Sequence, residues 1–235
     1  IKYILSADDY KDYDKVISQE NIGVYENPYY LPIGYLVEND IKVTSNNPFS
    51  NMNKILETFS GIAENTYTEA SFVTDLGDIE EVDRKYKADN IGIITYKIDI
   101  TSTDELYFYI APDAFIQTEY EEVKLYLNNK YIGDYLTKYN WGVMSLGKFN
   151  IGDVIEVKIL FDKTLKKYDT WFYYENLDIL EKHYSIISKA ELNLSKETDS
   201  KLSGEITTDK KSTLMFTIPY NNGWTIKVDD KVVEK

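Results

Sequence analysis

The stretch ITYKIDI, Ile94 to Ile100, decides the fold because its apolar side chains recur at every second position. A period of two places successive side chains on opposite faces of a β-strand, so this segment predicts a strand with one buried face. The same alternation recurs in segments 106–110, 123–127 and 155–161, and Asn128-Asn129-Lys130 after the second of these is a tight-turn signal. Several short strands with polar turns between them predict an antiparallel sandwich.

The sequence therefore predicts a mainly β protein with three parts. Residues 91–235 are expected to form an antiparallel, jelly-roll-like β-sandwich with one inserted helix at about 178–189. Residues 1–76 are expected to form a small α+β segment with a helix at about 48–60. Segment 77–90 is charged and weakly periodic, which is typical of a linker.

The first helix has clear signals at both ends. Asn47 is a favourable N-cap, and Pro48 fits the first helical position, where its missing N–H group costs nothing. Gly61 suits the left-handed residue that ends a helix. The apolar stripe between these ends consists of Met52, Ile55, Leu56 and Phe59.

The second helix carries His183, the only histidine of the chain. Asp178 and Glu181 have the spacing of a capping box, with Asp in place of Ser or Thr. A histidine at the border of an apolar stripe is expected to be a structural residue, because no orienting partner stands at a known spacing.

The segment IPYNNGWTIKVDDK, Ile218 to Lys231, predicts a hairpin at Gly223/Trp224. Trp224 is in phase with Ile226 and Val228, and the preceding strand offers a matching apolar face. We therefore predict that Trp224 fills the core, with an exposed sugar-binding ring as the alternative. Asp229-Asp230 predicts a further tight turn.

Composition argues against several classes of function. A net charge of −14 disfavours nucleic acid and anionic lipid as partners, and the absence of cysteine excludes thiol chemistry and cysteine metal sites. Neither a glycine-rich phosphate loop nor a histidine cluster is present. We therefore predict no catalytic residue, no metal site and no cofactor, with a calcium ion held in a sandwich loop as the alternative to no metal. No run reaches the roughly 18 apolar residues that would span a bilayer.

Aromatic residues are the remaining candidates for a binding site, since the chain has 22 Tyr, 9 Phe and 3 Trp. Sugars stack on ring faces, and rings in loops are the informative ones. Tyr139 and Trp141 are the first candidate pair for carbohydrate binding, and Tyr29 and Tyr30 are the second. Segment 171–174 is also aromatic, but Trp171 and Tyr173 are expected to share a core-facing phase.

Four segments together resemble the YfhO-type family of bacterial membrane proteins. They are IKYILS (1–6), VYENPYYLPIGYLV (24–37), NPFSNMNKILETFSG (47–61) and IPYNNGWTIKVDD (218–230). What the resemblance carries over is structural: Pro28 and Pro32 stiffen a loop, Asn47 and Pro48 start a helix, and Gly223 with Trp224 forms a turn.

The resemblance implies a multi-spanning protein similar to GT-C glycosyltransferases, with a large extracytoplasmic portion. It implies that a membrane helix precedes Ile1, which would make the α+β segment 1–76 membrane-proximal. It also implies that more sheet and another helix follow Lys235, and that the membrane region of the same chain is a partner. It also implies a role in glycosylating Gram-positive cell-wall polymers such as lipoteichoic acid from a lipid-linked sugar donor. The catalytic acid of such enzymes lies in an early membrane loop, so no catalytic residue is carried over to this chain.

The expected function is therefore that of a non-catalytic extracytoplasmic domain that positions a cell-wall glycopolymer. The alternative is a stand-alone carbohydrate-binding or adhesin domain of the bacterial surface. A soluble glycosidase is disfavoured, because no motif marks the pair of carboxylates that glycoside hydrolysis requires.

Overall fold

A computed structural model describes residues 2–7, 13–37, 43–111, 122–189, 191–198, 200–209 and 211–233. Within these residues the chain is mainly β, with antiparallel sheets and two helices, which confirms the predicted fold class. The helices are α1 (Pro48–Ser60) and α2 (Leu177–Ile187). The strands are β1 (Tyr3–Ser6), β2 (Asp14–Gln19), β3 (Ile22–Glu26), β4 (Gly34–Val37), β5 (Tyr67–Glu69), β6 (Phe72–Asp75), β7 (Glu80–Val82), β8 (Lys85–Asp99), β9 (Glu105–Ile110), β10 (Val123–Leu127), β11 (Lys130–Tyr135), β12 (Met144–Gly147), β13 (Val154–Lys166), β14 (Thr170–Glu175), β15 (Asn193–Thr198), β16 (Lys201–Glu205), β17 (Thr213–Phe216), β18 (Ile226–Val228) and β19 (Lys231–Val233).

The chain divides into two compact units that are not contiguous in sequence. The first unit contains Ile1–Ile41, Thr58–Ile62 and Glu181–Lys235, and the second contains Lys42–Glu57 and Ala63–Leu180. The predicted linker 77–90 falls within the second unit and contains β7 and the beginning of β8. Its charged residues lie at exposed positions of these strands and of the turns beside them, which explains why the segment shows little apolar periodicity.

The second unit is a sandwich of two antiparallel sheets. The larger sheet has the order β11-β10-β13-β8-β6, with β7 also paired to β8, and the smaller sheet has the order β12-β9-β14-β5. Inward-facing side chains of both sheets form one core. Ile94, Tyr96, Ile98 and Ile100 all belong to it, none more than 5% exposed, as their alternation predicts.

The hairpin between β10 and β11 forms at the predicted turn. Asn128 and Asn129 have φ angles of 48° and 64°, the left-handed conformations of a two-residue type I′ turn. Asn tolerates this region better than most residues, so the turn signal was readable from the sequence. Asp229 and Asp230 form the corresponding turn between β18 and β19.

The first unit contains one three-stranded and several two-stranded sheets. Its N-terminal sheet has the order β1-β3-β2, and three further sheets pair β4 with β17, β15 with β16, and β18 with β19. Tyr35 and Val37 of β4 are buried, and the Tyr35 ring meets Phe59 edge-on at 5.9 Å between centroids. The β4–β17 pair thereby joins residues from both ends of the chain.

The predicted core position of Trp224 is wrong. Its side chain is 36% exposed, and it lies before β18 rather than within it. The predicted hairpin at Gly223/Trp224 is also absent, because β17 pairs with β4 while β18 pairs with β19. Alternation fixes which side chains share a face, but it does not show whether another layer covers that face.

Side-chain caps determine where both helices begin. The Asn47 carboxamide oxygen accepts hydrogen bonds from the backbone N–H groups of Phe49 (3.0 Å) and Ser50 (3.2 Å), and Gly61 follows α1 with φ of 74°. In α2 the cap is Asn176, whose side-chain oxygen accepts from Ile179 N at 3.0 Å. Asp178 therefore lies inside the first turn and is not the cap that the capping-box spacing suggested.

Candidate functional site

The segment after β11, residues 136–143, displays an aromatic ring to solvent, and we call it the aromatic loop. Tyr139 is 90% exposed and Trp141 is 38% exposed. Leu136 at the start of the loop is buried with φ of 56°, so the chain turns sharply where it leaves the strand. An exposed ring on a loop at the end of a sandwich is suited to stacking against a ligand.

Hydrogen bonds to the core hold the base of the aromatic loop. The buried Tyr135 donates its phenolic O–H to the Gly142 carbonyl at 2.7 Å and lies 3.5 Å from Ile110 N, which donates to it. Burial raises the pKa of Tyr135, so its phenol remains a neutral donor at all physiological pH values. The last strand residue and the end of the loop are therefore tied together.

Hydrogen bonds between side chains and the backbone hold the tip of the same loop. The Thr137 hydroxyl accepts from the N–H groups of Tyr139 (3.2 Å) and Asn140 (3.0 Å), and the Asn140 side chain donates to the Asp134 carbonyl at 2.7 Å. The Lys138 ammonium lies 5.7 Å from the centroid of the Tyr139 ring, within cation–π range. The tip thus presents an aromatic face and a positive charge together.

Tyr29 and Tyr30, the second predicted pair, lie in the other unit and are half-buried. The Tyr29 hydroxyl donates to Glu181 Oε1 at 2.9 Å, and its ring meets Tyr184 edge-on at 5.6 Å. The Lys2 ammonium lies 5.0 Å from the Tyr30 ring centroid. Both rings are thus engaged within their own unit, and the structure does not place the two predicted pairs in one unit.

The outward face of the smaller sandwich sheet carries aromatic residues whose orientation the sequence did not reveal. Phe172 is fully buried in the sandwich core, whereas Trp171 is half-exposed and stacks on Tyr109 with centroids 6.1 Å apart. Tyr173 is buried on the same outward face, where it stacks on Phe49 of α1 at 4.5 Å. Trp171 and Tyr173 share one face, as expected, but that face is turned away from the sandwich core, since four consecutive aromatic residues leave no polar position that would mark the inward side.

Two carboxylates oppose each other on that outward face. Glu105 of β9 and Glu175 of β14 are directly paired neighbours. Glu175 accepts from the phenols of Tyr67 at 2.6 Å and Tyr107 at 3.0 Å, and Glu105 accepts from the Ser145 hydroxyl. Like charges directly opposite are destabilising, and these hydroxyl donors offset the repulsion. The donors give both carboxylates a structural role.

His183, which the sequence analysis placed at the border of an apolar stripe, is completely buried. Its Nδ1 atom lies 2.6 Å from the Ser60 hydroxyl oxygen, which also accepts from Ile62 N at 3.1 Å. A serine and a histidine at this distance resemble part of a nucleophilic dyad, but Ser60 is itself buried. This contact is therefore structural and fixes the end of α1 against α2.

The residues that the structure describes contain no group of three or more His, Cys, Asp or Glu side chains that could hold a metal ion. Neither α1 nor α2 has the length and apolarity needed to cross a bilayer.

The fold and the aromatic loop define a β-sandwich protein with an exposed aromatic ring on a hydrogen-bonded loop. The chain belongs to the YfhO family: the family model described as bacterial membrane protein YfhO matches residues 1–235, which confirms the resemblance drawn from the four sequence segments. In comparisons with curated proteins and with solved structures, no match was found.

Proposed function

We propose that this chain is the extracytoplasmic domain of a membrane-embedded, glycosyltransferase-like protein that glycosylates a cell-wall polymer of the lipoteichoic acid type. In this proposal the domain is non-catalytic and positions the acceptor polymer through the aromatic loop. Membership of a bacterial membrane protein family over residues 1–235 supports the assignment to such a parent protein rather than to a stand-alone adhesin.

The observation that carries acceptor binding is the pairing of Tyr139 with Lys138 on a loop held at both base and tip. An aromatic face stacks on the C–H face of a pyranose, and an ammonium attracts a phosphodiester. This local cation matters because a chain with a net charge of −14 repels a polyanion on average. Screening weakens that repulsion beyond about 8 Å at physiological salt, so a nearby lysine decides the local interaction.

Calorimetric titration of the chain with glycosylated and unglycosylated polyglycerol phosphate tests acceptor binding. We expect Tyr139→Ala to weaken binding of the glycosylated polymer about tenfold, a loss of about 1.4 kcal/mol, because the sugar loses the ring face on which it stacks. Trp141→Ala should weaken it less. Tyr131→Ala, which removes an exposed ring from β11, is the matched control and should leave binding unchanged.

The assay also has outcomes that contradict the proposal. Equal loss of binding in the Tyr131→Ala and Tyr139→Ala variants would remove the aromatic loop as the site. Sugar transfer or hydrolysis by the 235-residue chain at rates typical of enzymes would show that the domain is itself catalytic.

A further inference from the structure

The N-terminal three-stranded sheet has one face that is apolar and exposed. Leu5 of β1 and Ile17 of β2 are both register partners of Val24 in the central strand β3, so the three side chains form one row on one face. Tyr3 and Ile22 lie on the same face in the flanking rows, where their register partners are polar, so the apolar centre has a polar border. We call these five residues the apolar face.

Exposure distinguishes the two faces of this sheet. On the apolar face Leu5 is 70% and Ile17 is 61% exposed. On the opposite face Tyr25 is buried and its ring lies over Gly23, where a Cβ atom would come within 2.6 Å of the ring. An antiparallel sheet with one packed face normally turns polar residues outward, so a contiguous aliphatic outer face marks an interaction surface.

The border of the apolar face has the chemistry of a membrane–water interface. The Lys2 ammonium lies 5.1 Å from the Tyr3 ring centroid and 5.0 Å from that of Tyr30. Tyrosines are enriched where headgroups meet acyl chains, and lysines reach from that level into water. An aliphatic centre with a Tyr/Lys border is suited to lie in the plane of that interface.

We propose that the apolar face docks on the lipid bilayer, with Leu5, Ile17 and Val24 at the boundary between headgroups and acyl chains. Membership of a bacterial membrane protein family is the reason for choosing the bilayer as the occupant of this face. The net charge of −14 provides no attraction to anionic lipid, so the contact depends on apolar insertion and favours zwitterionic lipid. The inference is independent of sugar binding at the aromatic loop.

Co-sedimentation of the chain with phosphatidylcholine vesicles, with and without phosphatidylglycerol, tests the proposal. We expect binding to pure phosphatidylcholine that weakens when phosphatidylglycerol is added. Leu5→Thr with Ile17→Thr should weaken binding about tenfold, because two aliphatic groups no longer leave water. Thr is β-branched and favours strands, so the sheet should persist.

The matched control is Val73→Thr with Ile91→Thr, at two positions of the second unit that are 67% and 66% exposed. It should bind vesicles as the unmodified chain does. In a second variant, Leu5→Trp, the added tryptophan should shift the fluorescence emission to shorter wavelength when vesicles are added, relative to the unmodified chain. Val73→Trp should show no such additional shift. This readout does not depend on the Thr variant retaining its fold.

Three results would overturn the proposal. The first is no vesicle binding by the unmodified chain together with no emission shift in Leu5→Trp. The second is equal weakening in the matched control. The third is a concentration-dependent dimer that disappears in the Leu5/Ile17 variant without any lipid effect, which would assign the apolar face to a second copy of the chain.

Discussion

Among single residues, Tyr96 shows most directly how burial in the sandwich core raises the pKa of a side chain. Its ring lies in the core, its hydroxyl is 3.2 Å from Thr170 Oγ1, and burial raises its pKa to about 12. The unfolded chain ionises such a phenol near its ordinary pKa of about 10. The contribution of the Tyr96 phenol to the free energy of unfolding is therefore fully present below about pH 10 and is lost as the pH rises toward 12.

Tyr96→Phe should reduce the alkaline loss of stability. We expect the fall in the free energy of unfolding between pH 8 and pH 11.5 to be about 2 kcal/mol smaller in this variant, since each pKa unit corresponds to about 1.36 kcal/mol. Urea titrations at both pH values measure the difference. Trp141→Phe, which changes a partly exposed ring that carries no ionisable group, serves as the control and should leave the fall unchanged. An identical fall in the Tyr96→Phe variant and the unmodified chain would contradict the burial argument.

The burial of a single residue could be predicted where the sequence also indicated which strands pack against it. Ile94 and Ile98 lie in a long alternating strand with many partners, and their burial follows from the pattern. Trp224 has the same phase relation to its neighbours, yet β18, the strand that follows it, pairs within the described residues only with β19 in a short hairpin. The exposure of Tyr139 was expected from its loop position, whereas the hydrogen bond from Tyr135 to Gly142 that holds the loop leaves no trace in the sequence.

Among the elements, α1 is determined by local sequence at its N-terminus and by tertiary contacts on its face. Asn47 caps two backbone N–H groups, and its side-chain nitrogen donates to the buried Tyr173 hydroxyl at 3.1 Å. Phe49 then stacks on Tyr173. The cap thus couples the helix to the outward face of the smaller sheet.

Asn47→Ala should lower the free energy of unfolding by about 1–3 kcal/mol, because it removes both the cap and a buried hydrogen-bond partner. In Asn47→Asp the carboxylate still accepts from the two backbone N–H groups, and it can also accept from the Tyr173 hydroxyl. This variant should therefore lose at most half as much free energy of unfolding as Asn47→Ala. Thermal or urea unfolding measures both variants. A cost of Asn47→Asp equal to that of Asn47→Ala would show that the side-chain amide donor, not the cap, provides the stabilisation.

The elements that the sequence revealed are those whose signals are local. The Asn128-Asn129 turn and the ends of α1 are coded within a few residues, so each was readable without knowledge of the fold. The pairing of β4 with β17 joins residues 34–37 to residues 213–216, and no short-range pattern records it. Nothing local distinguishes a strand that pairs with its sequence neighbour from one that pairs across the chain.

At the scale of the whole chain, segments of the two compact units alternate along the sequence. Composition and periodicity could not predict this division. The contiguous division at residues 76 and 91 followed the change from mixed to regular alternation. In the structure β5, β6 and β7 all precede residue 91, yet they belong to the two sandwich sheets. Ala70 and Tyr86 accordingly contribute to the sandwich core.

This topology predicts which fragment folds by itself. A fragment of residues 42–180 retains every strand of both sandwich sheets, so we expect it to unfold cooperatively and to keep the near-ultraviolet circular dichroism of ordered aromatic residues. A fragment of residues 91–235 lacks β5, β6, β7 and the start of β8. It should show neither property, because losing these strands exposes the core to water and leaves β8 without its β6 partner along the sheet edge. Cooperative unfolding of residues 91–235 at the same midpoint as residues 42–180 would instead support a domain boundary in segment 77–90. It would mean that β5, β6 and β7 pair with the sandwich sheets without stabilising them.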